Sequence, residues 1–216
     1  MNLLKTAIGS ALVATTLVSS AALAEGFKTK EAGDFLLRAR GIGLIPDESS
    51  SISVIGGEAD ASNEYVPEVD ISYFITENIA LELIAATTKH DIDVEGSTLG
   101  ADVDLADVGV LPPTLTVQYH FLPKNRFSPY LGAGLNYTFF YDEEAAGGAV
   151  TSVDFENGIG YALQAGVDVA IGGNWSANLD VKKIFLNTDV KINGGAINAD
   201  VDLDPWVIGI GVGYRF

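Results

Sequence analysis

The chain has 216 residues, 48% of them hydrophobic, no cysteine, and a formal net charge of −17 at neutral pH. Such acidity weighs against a nucleic-acid partner, which wants clustered Lys and Arg, and the apolar content is too high for a disordered chain. Without cysteine there is neither a disulfide framework nor a lipidated cysteine.

Residues 1–24 have the parts of a secretory leader. Lys5 supplies the positive start, residues 7–18 a short apolar segment, and Ala22-Leu23-Ala24 a small-x-small cleavage site before Glu25. The segment is too short and wrongly flanked for a membrane span. Its removal leaves residues 25–216 as one domain. Past the leader no apolar run reaches the length of a membrane helix, so a membrane role requires strands that close into a barrel.

The first strand is expected over 33–43, with Phe35, Leu37 and Ala39 on one face and Leu36, Arg38 and Arg40 on the other. Residues 46–63, rich in Ser, Gly and acids, read as a loop. A second strand over 69–75 sets Val69, Ile71, Tyr73 and Ile75 against Asp70, Ser72 and Phe74. After the turn Thr76-Glu77-Asn78, a third over 79–87 sets Ile79, Leu81, Leu83 and Ala85 against Ala80, Glu82, Ile84 and Ala86. A long acidic connection is expected from 89 to 113. The fourth strand, 115–121, alternates Leu115, Val117, Tyr119 and Phe121 with Thr116, Gln118 and His120.

A turn at Pro123-Lys124-Asn125 leads to a fifth strand over 130–141, with Leu131, Leu135, Tyr137 and Phe139 opposite Gly132, Gly134, Asn136 and Thr138. A loop with Glu143 and Glu144 precedes a sixth over 159–171, where Tyr161, Leu163 and Val167 oppose Gly160, Gln164 and Asp168. The turn Gly172-Gly173-Asn174 opens a seventh, 175–187, with Trp175, Leu179 and Phe185 opposite Asn178, Asp180 and Lys182. A further loop spans 193–202. In the last strand Trp206, Ile208, Ile210, Val212, Tyr214 and Phe216 form a broad apolar face, and Val207, Gly209, Gly211, Gly213 and Arg215 a nearly bare one.

Eight strands joined by connections that alternate long and short fit an outer-membrane barrel with both termini in the periplasm. Aromatics sort with them. Tyr73, Tyr119, Phe121, Trp175, Tyr214 and Phe216 fall at the periplasmic end, and Tyr137, Phe139, Tyr141, Tyr161, Phe185 and Trp206 at the outer end. The expected fold is therefore all-β, an eight-stranded antiparallel transmembrane barrel with the larger apolar face toward lipid. Its narrow lumen, lined by Arg38, Arg40, Arg215, Asp70, Glu82, Asp168, Asp180 and Lys182, needs those charges paired with one another. The glycines Gly132, Gly134, Gly209 and Gly211 leave space beside them, for a conduit, a pocket or only a closely approaching backbone.

Four stretches, TENIALELIAAT (76–87), LPPTL (111–115), PYLGAGLNYTFFYD (129–142) and LDPWVIGIGVGYRF (203–216), resemble the outer-membrane protein W (OmpW) family, and the likeness runs over about 31–216. The resemblance implies the outer membrane of a Gram-negative bacterium and a narrow apolar lumen. It further implies that small hydrophobic molecules pass through that lumen and leave sideways into the membrane. It places a lumen-narrowing side chain at Ile84 and a second such position near Ile159, which alternation turns outward here. The partners expected are outer-membrane lipid and lipopolysaccharide, a small hydrophobic ligand, and the barrel-insertion machinery acting on the C-terminal strand. The barrel is expected to be a monomer.

Asp91, Asp93, Glu95 and Asp102 have the spacing of a calcium loop. Ile92 and Val94 alternate with them, however, and no helix precedes, so they read first as a solvated acidic strand extension and second as a metal site. His90 and His120 are the two histidines and fall at opposite ends, so no catalytic or metal centre and no cofactor are expected. Two other readings stay open. One is a surface structural or adhesion protein whose acidic loops matter and whose barrel only anchors. The other is an outer-membrane lipid enzyme using His, Ser and Asp. An apolar cavity around Ile84 favours passage, a lumen closed by ion pairs favours the anchor, and a His-Ser-Asp cluster at one rim favours the enzyme.

Overall fold

The computed structural model describes residues 26–45, 49–52, 58–61, 63–95, 103–148 and 150–216. The leader expected over 1–24 lies outside them, as does Asp102. The strands are β1 (Phe35–Ile45), the short β2 (Ser49–Ile52) and β3 (Glu58–Ala61), β4 (Glu64–Phe74), and β5 (Ile79–Ala86) continued by β6 (Thr88–Glu95). They go on with β7 (Val103–Leu111) leading into β8 (Thr114–His120), then β9 (Phe127–Ala145), the short β10 (Val153–Phe155) and β11 (Gly158–Gly172). The last are β12 (Trp175–Phe185) continued by β13 (Asn187–Ile192), and β14 (Ile197–Asp202) leading into β15 (Trp206–Arg215).

Eight of these close into one antiparallel ring, in the order β1-β4-β5-β8-β9-β11-β12-β15. The last strand returns to the first, with Leu37 opposite Tyr214 and Ile45 opposite Trp206. Closure pairs every strand on both sides, which is what a sheet needs where no water is present to satisfy a free edge.

Alternation decides the two faces. On β15, Ile208, Ile210 and Val212 are exposed while Val207, Gly209 and Gly213 are buried. Leu135 at 66% exposure and Ile210 at 70% are typical of a continuous apolar outer belt. In water such a belt would be an aggregation surface; in a bilayer it is the face in contact with hydrocarbon. Aromatic pairs rim the belt. Phe35 and Tyr73 (4.9 Å) and Trp175 and Tyr214 (4.9 Å) lie at one end, and Tyr137 and Phe139 (4.6 Å) and Tyr161 and Phe185 (4.6 Å) at the other. The short turns are locally fixed: Thr76 Oγ1 accepts from the backbone N–H of Asn78 and Ile79, and Gly173 adopts φ +53°.

The long connections differ from expectation. Residues 89–113 are not a loop, since β6 and β7 form a hairpin there that pairs onward to β9 and to β3. The stretch 193–202 likewise contains β14, and 46–63 contains β2 and β3; β10, β13, β14 and β2 make a second small sheet. Of the acidic residues that suggested loops, Asp91, Asp107, Asp200 and Asp202 occupy the outer faces of these extensions. Their inner faces carry Ile92, Val108, Val153, Ile192 and Val201, which pack into one apolar cluster above the membrane belt. High charge and regular strand are compatible when every second residue faces water.

The periplasmic mouth is crossed by the segment before β1. Lys28 N–H donates to Gly173 O (2.8 Å), Lys30 N–H to Pro123 O (3.1 Å) and Gly33 N–H to Phe74 O (2.8 Å). This lays residues 27–33 over the opening and drops the Lys30 side chain into the lumen, where it is 1% exposed.

Candidate functional site: the lumen

From the floor upward, the lumen is first a closed ionic layer. Lys30 Nζ lies 2.9 Å from Asp168 Oδ2, 2.7 Å from Ser128 Oγ and 2.9 Å from His120 Nδ1. Arg38 meets Asp168 with two prongs and Asp70 with a third nitrogen–oxygen contact at 2.9 Å. Arg40 reaches Glu68 (2.6 Å), Asp70 (2.8 Å) and Glu82 (3.2 Å). Lys182 joins Glu68 and Asp180, each at 3.0 Å. Tyr130 donates its hydroxyl to Asp180 (2.7 Å), and Gln164 its amide to the same oxygen (2.9 Å). All these groups are buried. Buried charge is tolerable only when so paired, and the pairing fills the lower barrel.

Of the readings open for the glycines, close approach holds, by backbone and by the side chains of this layer. A Cβ at Gly211 would stand 2.0 Å from Ala39 O, and one at Gly134 2.1 Å from Leu115 O. At Gly132 it would meet Gln164 Oε1 at 2.7 Å, and at Gly209 the Arg40 side chain at 3.1 Å. Neighbouring strands and side chains already occupy the missing volume.

A serine, a histidine and an aspartate do converge at the floor, but on Lys30 and not on one another. His120 turns its Nε2 to Gln118 Oε1 (3.2 Å). Ser128 is 2% exposed and His120 fully buried. Sequence reasoning missed Lys30 and Tyr130. Lys30 lies in a stretch without periodicity, and Tyr130 sits where an aromatic near a strand end is expected to face lipid. The signal available for Tyr130 is its parity with Gly132 and Asn136.

Ile84 faces inward at 3% exposure, one inward step above Glu82, in register with Asp70 and Thr114. Above it the lumen changes character. A cavity of about 70 Å³ is walled by Leu44, Ile92, Val108, Val110, Pro112, Phe140, Phe155, Ile184, Leu186, Leu203 and Pro205, with Thr88, His90 and Thr138 as its polar points. Ile84 lies below this wall and is not part of it. An apolar lining with a few polar points is that of small-molecule sites.

The cavity backs onto a lapse in the barrel wall. The β5–β8 ladder ends at Ile84 opposite Thr114, and pairing resumes only at Thr88 opposite Val110 between β6 and β7. Between them stand Ala85, Ala86 and Thr87 on one side and Leu111, Pro112 and Pro113 on the other. Proline has no N–H to give to a ladder. Thr88, Val110 and Pro112, which border the lapse, also line the cavity. On the outer side, the Tyr141 ring lies over Gly109, where a Cβ would stand 2.5 Å from it, and the Tyr141 hydroxyl hydrogen-bonds to Thr87.

Ile159, by contrast, points outward at 73% exposure. Of the acidic residues considered for a metal, Asp91 is exposed on the outer face of β6, opposite Asp107, which in turn faces Glu144. Asp93 and Glu95 follow Asp91 along the same strand, so the spacing belongs to a strand and not to a loop around an ion. Among the described residues no His, Cys, Asp and Glu group has a metal-holding arrangement. The Asp91 hydrogen bond and charge raise the Asp107 pKa above its ordinary 3.8.

Comparison with known proteins agrees with this architecture. The model of the OmpW family matches residues 31–216. An outer-membrane protein of Sinorhizobium fredii, y4mB, is 44% identical, with 83% of this chain and 79% of that protein covered. Outer membrane protein W of Escherichia coli is 35% identical over 96% and 97%. The dibenzothiophene metabolism operon protein PahQ of Pseudomonas aeruginosa is 30% identical over 76% and 77%. Among solved structures, the outer membrane protein OprG of Pseudomonas aeruginosa superposes with a TM-score of 0.81 at 32% identity, over 88% of this chain and 99% of that one.

Proposed function

The chain belongs to the OmpW family of Gram-negative outer-membrane barrels, and from that premise we propose that it takes up small apolar molecules. They enter the cavity from outside and leave sideways into the membrane. The observation that carries this reading is the apolar cavity, floored by ion pairs and backed by the ladder lapse at Pro112 and Pro113. A molecule lodged there meets charged groups below and hydrocarbon at the side, and only the second route avoids stripping those charges of their partners. The name of PahQ, which ties that relative to an aromatic sulfur heterocycle, is in keeping with such cargo. Export through a leader ending at Ala24, contact of the acidic outer faces with lipopolysaccharide, and insertion through the C-terminal strand belong to the same proposal. So does action as a monomer.

The cysteine-free chain makes a direct test. Cysteines at Ala86 and Pro112, which face each other across the lapse, would staple it when oxidised. Uptake of a fluorescent apolar probe into proteoliposomes should fall to the protein-free rate on oxidation and return on reduction. Uptake that ignores the staple overturns the sideways route. Uptake no faster than in protein-free liposomes, staple or not, favours the second reading, an anchor for an acidic surface sheet. That reading has its own support in the row Asp91, Asp107 and Glu144.

A further inference from the structure

The cavity is apolar, yet one of its hydroxyls has its proton assigned by its neighbours. Thr114 donates to Pro112 O (3.0 Å), so Thr114 Oγ1 accepts from Asn136 Nδ2 (2.9 Å). That contact turns Asn136 Oδ1 toward Thr138, whose hydroxyl donates to it at 2.7 Å. With its single proton committed, Thr138 Oγ1 has only lone pairs left to present, and Thr138 lines the cavity.

A second observation concerns charge. The acidic groove lined by Asp91, Asp107 and Glu144 adjoins the cavity at Ile92, which borders both. The chain as a whole carries −17. A molecule approaching the cavity from outside therefore passes through a negative field, and inside it meets an acceptor and no charged donor from Thr138.

We propose that the cavity selects among apolar molecules for neutral ones carrying a single O–H or N–H donor, such as phenols and medium-chain alcohols. It favours them over plain hydrocarbons and rejects carboxylate anions, with Thr138 as the specificity-determining residue. This rests on the cavity being the ligand site, as argued above. A donor buried beside Thr138 Oγ1 keeps a hydrogen bond that an apolar wall alone would take from it, whereas a carboxylate loses hydration and faces lone pairs.

The test uses the full chain folded in detergent micelles and a bound apolar fluorophore, N-phenyl-1-naphthylamine. The fluorophore is displaced by decanol, decane or decanoate at neutral pH, with concentrations expressed per micelle. Decanol should displace it at about a fivefold lower level than decane, the size of one net neutral hydrogen bond. Decanoate should be weakest and should improve with added salt, as screened repulsion requires. Thr138→Val should abolish the lead of decanol over decane, and the heat-dependent gel shift shows that the variant is folded. Equal displacement by decanol and decane in the wild type, or a lead that survives in Thr138→Val, overturns the proposal while leaving uptake of apolar molecules standing. Failure of the fluorophore to bind the wild type at all overturns the cavity as the site, and this inference with it.

Discussion

Arg38 and Asp168, 130 residues apart in the chain, meet at the centre of the lumen through two parallel contacts, Nε to Oδ1 at 3.1 Å and Nη2 to Oδ2 at 3.0 Å. Asp168 also holds Lys30, so one carboxylate ties the first strand, the sixth barrel strand and the segment across the periplasmic mouth. Two-pronged guanidinium–carboxylate pairs are among the strongest polar contacts a protein makes.

Asp168→Ala leaves two buried cations short of their shared partner. The expected cost is about 3–5 kcal/mol, the usual penalty for breaking a buried pair from one side. Urea unfolding in detergent, followed by the heat-dependent gel shift of the folded barrel, measures it. A midpoint equal to the wild type would mean that the ionic layer does not hold the barrel together.

Two neighbours on β15 should fail for different reasons. Ile210→Asp puts a carboxylate on the lipid face and should cost on the order of a few kcal/mol or prevent insertion into liposomes. Alternation alone makes Gly211, on the lumen face, the more tolerant site. The Ala39 carbonyl, 2.0 Å from where a Cβ would stand, reverses that. Gly211→Ala should therefore fold poorly in micelles as well as in liposomes, while Ile210→Leu folds normally. Normal folding of Gly211→Ala would contradict the closeness of β1 and β15.

For uptake, the cavity wall should matter more than Ile84. Val110→Trp fills space beside the ladder lapse and should slow probe uptake several-fold, about what loss of most of the free volume allows. Ile84→Ala, below the cavity, should leave the rate near wild type. The reverse order of effects would move the route down through the ionic layer.

Tyr141 bridges the outer side of the lapse through its hydrogen bond to Thr87. Tyr141→Phe removes that bond and keeps the ring over Gly109. Uptake should rise by a fewfold, in line with one neutral hydrogen bond. An unchanged rate would show that the bridge does not restrain the wall.

The Asp91–Asp107 pair makes the extracellular hairpin sensitive to acid. Asp107 has its folded pKa raised above 3.8, so the folded hairpin takes up a proton more readily than the unfolded one. Its stability should therefore increase as pH falls from neutral toward that raised value, and no further below 3.8, where both states are protonated. Hydrogen exchange of β6 and β7 amides, corrected for the intrinsic pH dependence of exchange, should show more protection under mild acid than at neutral pH. Asp91→Asn should remove the difference. Greater protection at neutral pH would refute the assigned pairing.

The barrel was legible from alternation alone. Every second residue of Leu36–Arg40, Asp70–Phe74, Ala80–Ile84 and Val207–Arg215 turns inward as alternation requires, and the buried or exposed state agrees at each except Gly211 and Tyr214, which are half-buried. A strand's period is local and survives without knowledge of its neighbours. The membership of the buried charges was legible in part: inward charges in a narrow barrel must find one another, but Lys30 and Glu68 lay outside the expected set, and Arg215 donates to the Lys28 carbonyl at 2.7 Å. The remaining features depend on who stands opposite whom. The glycines Gly132, Gly134, Gly209 and Gly211 look like vacant space along one strand and are filled from the next. The acidic stretches around Asp91 and Asp200 look like loops because acidic residues and glycines recur through them. They become strands once β6, β7, β13 and β14 bring Ile92, Val108, Val190 and Val201 into one core. Ile84, inward by parity, falls beneath the cavity and not on it, because the height at which the ladder lapses is set by Pro112 and Pro113 on another strand. Lys30 reaches Asp168 only because closure of the ring brings the segment before β1 beneath the sixth barrel strand. Periodicity fixes the direction of a side chain; only closure fixes its partner.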